Sequence, residues 1–274
     1  MRPPPPASST VRPPPPRATP PSVAPPRPSA AAPAFSLDGV AVFSALTPGA
    51  RQRLASLARV EALAADEEVA GFGAALVLDG GASVCPTIVD VPVAPAARGV
   101  LITTRGSSAE NVALRIVAGP DGARVAVWDY PSIEAALVSR PGVLDELSAS
   151  ADRLHALAAA TMGPLGDLDD PVRGPILDRL EARVVRPREA IVMAGEALPG
   201  VMIVCRGAVE IGDDEDSARL AQPGELLFAR EARRGGVAPA PASAAAMGAV
   251  LLVGDVALAE KLAAIPALAR WFSG

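Results

Sequence analysis

Five landmarks recur along this chain at nearly one interval. Leu46 pairs with Leu168, Val69 with Ile191, Gly81 with Gly207, Asp129 with Asp255 and Pro141 with Pro266, at offsets of 122, 122, 126, 126 and 125 residues. An interval that holds through helix-like and strand-like stretches alike marks an internal duplication. It restricts the fold to an architecture that one compact domain's length can build alone and then build again.

Within the first copy, "TPGARQRLASLARV" predicts a helix capped by Thr47, with Pro48 at its first position and Leu54 and Leu57 on one face. Strand-like pieces follow: "EVAGFG", "AALVLDGGASV", "PTIVDVPVA", "RGVLITT", "VALRIVAG" and "ARVAVWD", with "GPDGA" read as a turn between the last two. Two helical runs close the copy. "YPSIEAALVSRP" ends at Pro141, and "GVLDELSASADRLHALAAAT" spaces Leu144, Leu147, Leu154 and Leu157 along one face. The second copy repeats the order: a helix in "LDDPVRGPILDRLEARV" starting at Asp170, strands in "EAIVMAG", "GVMIVCRGAVEIG", "ARLAQPGELLFA" and "AAMGAVLLVGD", and a helical close in "VALAEKLAAIPALARWF".

Ahead of the duplication, residues 1–34 hold fourteen prolines, four arginines and no acidic residue. Proline fixes φ and removes a donor, so the segment is expected to be a disordered, solvated polyproline II arm. It reads as a stiff spacer or as a ligand for an aromatic-lined groove on a protein partner. Being basic against an acidic remainder, it has a third option of lying on its own domain.

Composition closes several routes. A net charge of −5 argues against a nucleic-acid binder or an anionic-membrane binder. Lys261 is the only lysine among 25 basic residues, a bias read as that of a GC-rich genome. No stretch has the length of a membrane span or the pattern of a secretory signal, so a cytoplasmic location is expected. Cys85 and Cys205 sit in apolar runs and read as buried packing thiols, with one disulfide as the alternative. The single histidine, His155, reads as a half-exposed helix residue. One imidazole cannot supply the two or three that a metal enzyme on a β-barrel needs, and no nucleophile-elbow pattern accompanies it. "GDDEDS", residues 212–217, reads as a solvated hairpin tip, and Arg183, Arg186 and Arg188 as one exposed strand face. Neither an enzyme nor a metal site is expected.

The second copy resembles a cyclic nucleotide-binding domain. In "EARVVRPREAIVMAGEALPGVMIVCRGAVEI", Glu189, Ile191, Gly195, Glu196, the apolar run 201–204, Gly207 and Val209 fall at that family's opening positions. "AQPGELLFA" resembles the strand entering the phosphate-binding cassette, and "GAVLLVGDVALAEKLAAIPAL" the last strand with its helix. The first copy carries the same pattern more faintly. The resemblance implies a mainly β fold with flanking α: two tandem eight-stranded jelly-roll barrels, at residues 35–160 and 161–274, after the Pro-rich arm.

In family members that bind, a cassette near "F-G-E-x-(A/S)-L … R-(S/T)-A" sets amide donors at a short helix start and an arginine fork around the cyclic phosphate. Here Phe228 stands near the family's Phe, but Ala229-Arg230 replaces Gly-Glu. If Ala242 takes the cassette alanine's place, Ala240 takes the arginine's, between prolines that supply no N–H. In the first copy, Gly106, Ser107 and Ser108, with Glu110 completing a capping box, offer donors, but Asn111 stands where the arginine belongs. The candidate ligand residues are therefore Arg105, Gly106, Ser107, Ser108 and Glu110 in one copy and Gly224, Glu225 and Arg230 in the other. The expectation is a non-enzymatic regulatory or scaffold protein with degenerate cassettes and no cofactor. The alternative is a sensor whose one barrel still binds a cyclic nucleotide or related anion. The helix over 143–161 packs within the chain or forms a homodimer, leaving a monomer or a dimer.

Overall fold

The structure, a computed structural model, describes residues 35–107, 112–212 and 218–272. The expected arm, Ser108, Glu110, Asn111 and most of the acidic "GDDEDS" tip lie outside these residues. The first copy runs from a 3-10 turn (Ala41–Phe43) and α1 (Pro48–Ser56) through β1 (Arg59–Leu63), β2 (Glu68–Ala70), β3 (Ala74–Pro86), β4 (Ala94–Ala97), β5 (Leu101–Thr103) and β6 (Leu114–Trp128) to α2 (Tyr130–Leu137) and α3 (Pro141–Thr161). The second runs from α4 (Asp170–Leu177) through β7 (Glu181–Val185), β8 (Ala190–Val192), β9 (Met202–Ile211), β10 (Arg219–Ala221), the short α5 (Ala229–Ala232) and β11 (Ala242–Val253) to α6 (Val256–Ala263) and a 3-10 segment, Pro266–Phe272.

Both sheets are antiparallel and share one plan. The N-terminal half of β3 pairs with the C-terminal half of β6 and with β5, while β1 covers β6's other edge. The C-terminal half of β3 pairs with the start of β6 and with β4, and β2 closes that side. In the second copy β9 and β11 are the two long strands, flanked by β7 at one end and by β8 and β10 at the other. Where β5 would stand, a single bridge joins Leu226 to Ile203. Each long strand thus serves two faces of a roll. This is why the expected eight strands per copy are described as six in the first sheet and five in the second.

Bends in the long strands make the crossing between faces. Gly80 and Gly207 have φ of +75° and +69°, and a Cβ on either would fall within 2.3 Å of the facing Gly122 or Gly248 carbonyl oxygen. The equivalent turn glycines are therefore Gly80 and Gly207; the alignment through Gly81 is off by one. For the same reason "GPDGA" is no turn. Positive φ at Gly122 bends the chain, but pairing with β3 resumes across a register shift, and β6 continues for 15 residues.

Boundaries moved elsewhere too. The first helix ends at Ser56, and Arg59 and Val60, read as its tail, belong instead to β1, which pairs with β6. Likewise residues 181–184 leave the predicted helix for β7, which pairs with β11. That strand ends before Arg186, and Arg188 has φ +61°, so of the three arginines only Arg183 stands on a strand. Matched caps survive the duplication: Asp129 accepts the Ser132 amide at the start of α2, and Asp255 the Leu258 amide at the start of α6, each at 2.7 Å.

Strands alternate faces with a period of two, and here both faces are covered. On β9, Met202 and Val204 join the roll's own core while Ile203 and Cys205 join a different cluster on the opposite face. The latter cluster runs from the interior of the first roll (Val84, Ile116, Val125) through Leu154 and Leu157 of α3 to Val250 and Leu252 of β11. Helix α3 lies against β5 and against β7, β9 and β11, so its leucines pack within the chain, and both rolls fall in the compact unit Pro33–Gly274.

Candidate functional site

The second cassette folds onto its own roll. After β10 the turn Gln222–Glu225 leads through Leu226 and Leu227 to Phe228, whose left-handed backbone (φ 49°) starts α5. Leu227, Ala232 and Ala238 are at most 1% exposed and belong to the roll's apolar core, with Phe228 packed on it. Small apolar side chains therefore fill the space beneath the cassette. This short helix, Ala229–Ala232, lies ahead of the stretch "VAPAPASA" at 237–244, which offers no helix start.

Gly224, Glu225 and Arg230 come together on the outside of this roll. They line an open cleft of about 590 Å³ with Arg219, Phe228, Arg270 and Trp271. The Glu225 carboxylate is engaged inside the protein. It accepts from Arg219 at 2.5 Å and from the Gln222 amide at 3.0 Å. Burial pushes its pKa up, but these two bonds outweigh it and hold the group below the usual carboxylate range. Ala242 opens β11 as a buried residue, and Ala240 is half-buried with no charged group to offer.

In the first cassette the candidates part company. Arg105 is exposed and lies 3.9 Å over the Tyr130 ring, a cation–π contact with the start of α2. Gly106 packs against Asp152 so closely that a Cβ would fall 2.1 Å from Oδ1. The Ser107 amide donates to that same oxygen at 3.0 Å. An amide of the kind that could face a phosphate thus faces a carboxylate of the chain itself. Asp152 is 3% exposed, and the Arg206 guanidinium of β9, 3.9 Å away, supplies the opposite charge.

His155 lies one turn farther along α3. It is 5% exposed rather than half-exposed, because α3 has packed elements on two sides. Its Nε2 stands 2.7 Å from the Thr104 carbonyl oxygen, and its Nδ1 is buried with no hydrogen-bond partner. Burial lowers its pKa; the Thr104 carbonyl, Asp152 and the nearby Val112 backbone pull the other way without prevailing. Sequence reading passed over Asp152, Arg206, Arg219 and Trp271. The available signal was Asp152 and His155, three residues apart on a helix otherwise rich in Ala and Leu.

Both thiols are free and buried. Burial pushes Cys205 up to about 12, with a lesser opposing contribution from the Leu252 backbone, and burial also raises Cys85, leaving neither as a nucleophile near neutrality. Among the described residues, no group of three or more His, Cys, Asp and Glu side chains is placed to hold a metal, and no helix is long and apolar enough to cross a membrane.

A helix, a two-faced roll with a cassette loop before its last strand, and a closing helix, given twice, form a cyclic-nucleotide-binding-like architecture. No family model matches the chain, and no curated protein matches it either. Solved structures do. The regulatory domain of Toxoplasma gondii PKA with cAMP is similar at 14% identity over 81% of this chain and 87% of that one, with a TM-score of 0.35. The regulatory subunit of a cAMP-independent protein kinase A from Trypanosoma cruzi bound to guanosine is similar at 16% identity, covering 84% and 86%, with a TM-score of 0.32. A cAMP-binding acyltransferase from Mycobacterium smegmatis matches 42% of this chain with 39% of its own, at 15% identity and a TM-score of 0.34.

Proposed function

We propose that this chain is a non-enzymatic, cytoplasmic regulatory protein whose two cyclic-nucleotide-binding-like rolls no longer hold a cyclic nucleotide and work through protein contacts. The observation that carries the reading is the state of the cassettes. Neither keeps an arginine at the motif's position, where Ala240 and Asn111 stand, and the Ser107 amide of the first cassette is taken by Asp152. A cyclic phosphate would find no arginine fork at either place and would have to break that internal hydrogen bond at the first. The domains are residues 35–160 and 161–274. The Pro-rich arm over 1–34 supplies the contact with a protein partner.

Calorimetric and thermal-shift titrations with cyclic AMP, cyclic GMP and cyclic dinucleotides test this directly. A ligand at a hundred times its Kd stabilises the native state by about 2.7 kcal/mol, so the expected result is no shift at millimolar ligand. Affinity of about 10 μM or tighter overturns the proposal. One observation favours a second reading: Gly224, Glu225 and Arg230 share the outer cleft with two further arginines and two aromatic rings. In that reading the cleft takes a nucleotide-like anion, and binding is lost in Arg230→Ala.

A further inference from the structure

Beside the first cassette, α3 and the outer face of the second sheet border a pocket of about 150 Å³. Its polar lining is His155, Asp152 and Arg206, and Val112, Ala159, Cys205 and Val250 are among the remaining residues. The feature that points to a guest is His155. A carbonyl oxygen only accepts, so its 2.7 Å contact with Thr104 puts the ring proton on Nε2 and leaves a lone pair on Nδ1. That nitrogen is buried and has no hydrogen-bond partner. A buried acceptor left unpaired is costly, and a donor arriving in the cavity would remove the cost.

The other properties of the guest follow from the walls. Asp152 and Arg206 face each other across 3.9 Å, so the wall already carries charges of both signs and selects neither a cation nor an anion. The cavity equals in volume the engineered one that takes benzene, at about 150 Å³. We propose that this cavity binds a small uncharged molecule, of about five or six non-hydrogen atoms by that comparison, that donates a hydrogen bond to Nδ1 of His155 and rests its apolar body on Ala159 and Val250. The site adjoins the first cassette through Asp152, which also accepts the Ser107 amide, but its acceptor, His155, is none of the candidate ligand residues. Its position between the rolls makes its occupancy a property of the junction.

Because His155 is the only histidine, tag-free protein gives one pair of imidazole ¹⁵N signals. Pyrrole and furan have the same ring size, but only pyrrole carries an N–H. In the labelled full chain the expected starting state is the Nε2–H tautomer. Pyrrole should then move the Nδ1 resonance saturably to lower frequency, while furan leaves it in place. Ala159→Leu fills the cavity and should abolish the pyrrole shift with the melting transition retained. Should that variant not fold, cross-relaxation from pyrrole to the Val250 methyls in the unaltered chain decides the same point. An Nδ1–H tautomer, no response to pyrrole because the cavity holds water alone, or equal responses to the two rings would overturn the proposal.

Discussion

His155 is the residue whose environment departs furthest from what its neighbours in sequence suggest. On a helix with one packed face it would be half wet; on α3, pressed between β5 and the second sheet, it is buried. Burial disfavours the imidazolium, and its pKa falls below the usual 6.5. The unfolded chain then binds the proton more readily than the folded one. Stability from this group is fully present above pH 6.5 and is lost as the pH falls through the lower folded value. Thermal unfolding should therefore shift to lower temperature between pH 7 and pH 5, and His155→Gln should flatten that dependence. An unchanged slope in the variant would mean that other groups carry it. Of the candidate ligand residues, Gly224, Glu225 and Arg230 line one cleft, since only a few intervening residues separate them. Sequence had no means of finding Arg219 or Trp271 beside them, or of sending Arg105 to Tyr130 while Ser107 meets Asp152.

At the scale of elements, the long strands carry the fold. Hydrophobic alternation located β3, β6, β9 and β11 but cut β6 in two, because a Gly-Pro-Asp-Gly run is ordinarily a turn. Whether such a run reverses the chain or only bends it depends on the partner strand, and β3 holds it in line on both sides of the bend. Gly207 should be strict in consequence. Gly207→Ala would put a Cβ 2.1 Å from the Gly248 carbonyl oxygen at φ +69°. A loss of ~2–4 kcal/mol in denaturant unfolding is expected from strain and clash together. Gly99 has φ +84° with open space around it, and Gly99→Ala should cost only ~1–2 kcal/mol. Equal losses in the two variants would show that close approach at the bend matters little. Short elements were legible where a cap announces them, as at Thr47, Asp129 and Asp255, and not where pairing alone defines them, as at β1 and β7.

At the scale of the whole molecule, the duplication suggests two separable domains, but the cores do not divide there. One apolar cluster crosses from the interior of the first roll through α3 to Ile203, Cys205, Val250 and Leu252 on the outside of the second. Cutting the chain between Met162 and Gly163 would strip α3 from that face. Residues 163–274 alone should then aggregate or melt without cooperativity, while 35–274 unfolds in one transition by calorimetry. A soluble, cooperatively folding 163–274 fragment would show that the shared cluster contributes little.

The duplication, the helix–roll–helix order and the departures of both cassettes from the family's motif are legible in the sequence alone, because spacing, alternation and side-chain identity are all local properties. Tertiary structure alone decided that Asp152 answers the Ser107 amide, that His155 is buried with an open nitrogen, and that two rolls share a core. Each of these depends on which surfaces meet across α3. Residues more than forty positions apart carry no pattern that announces such a meeting.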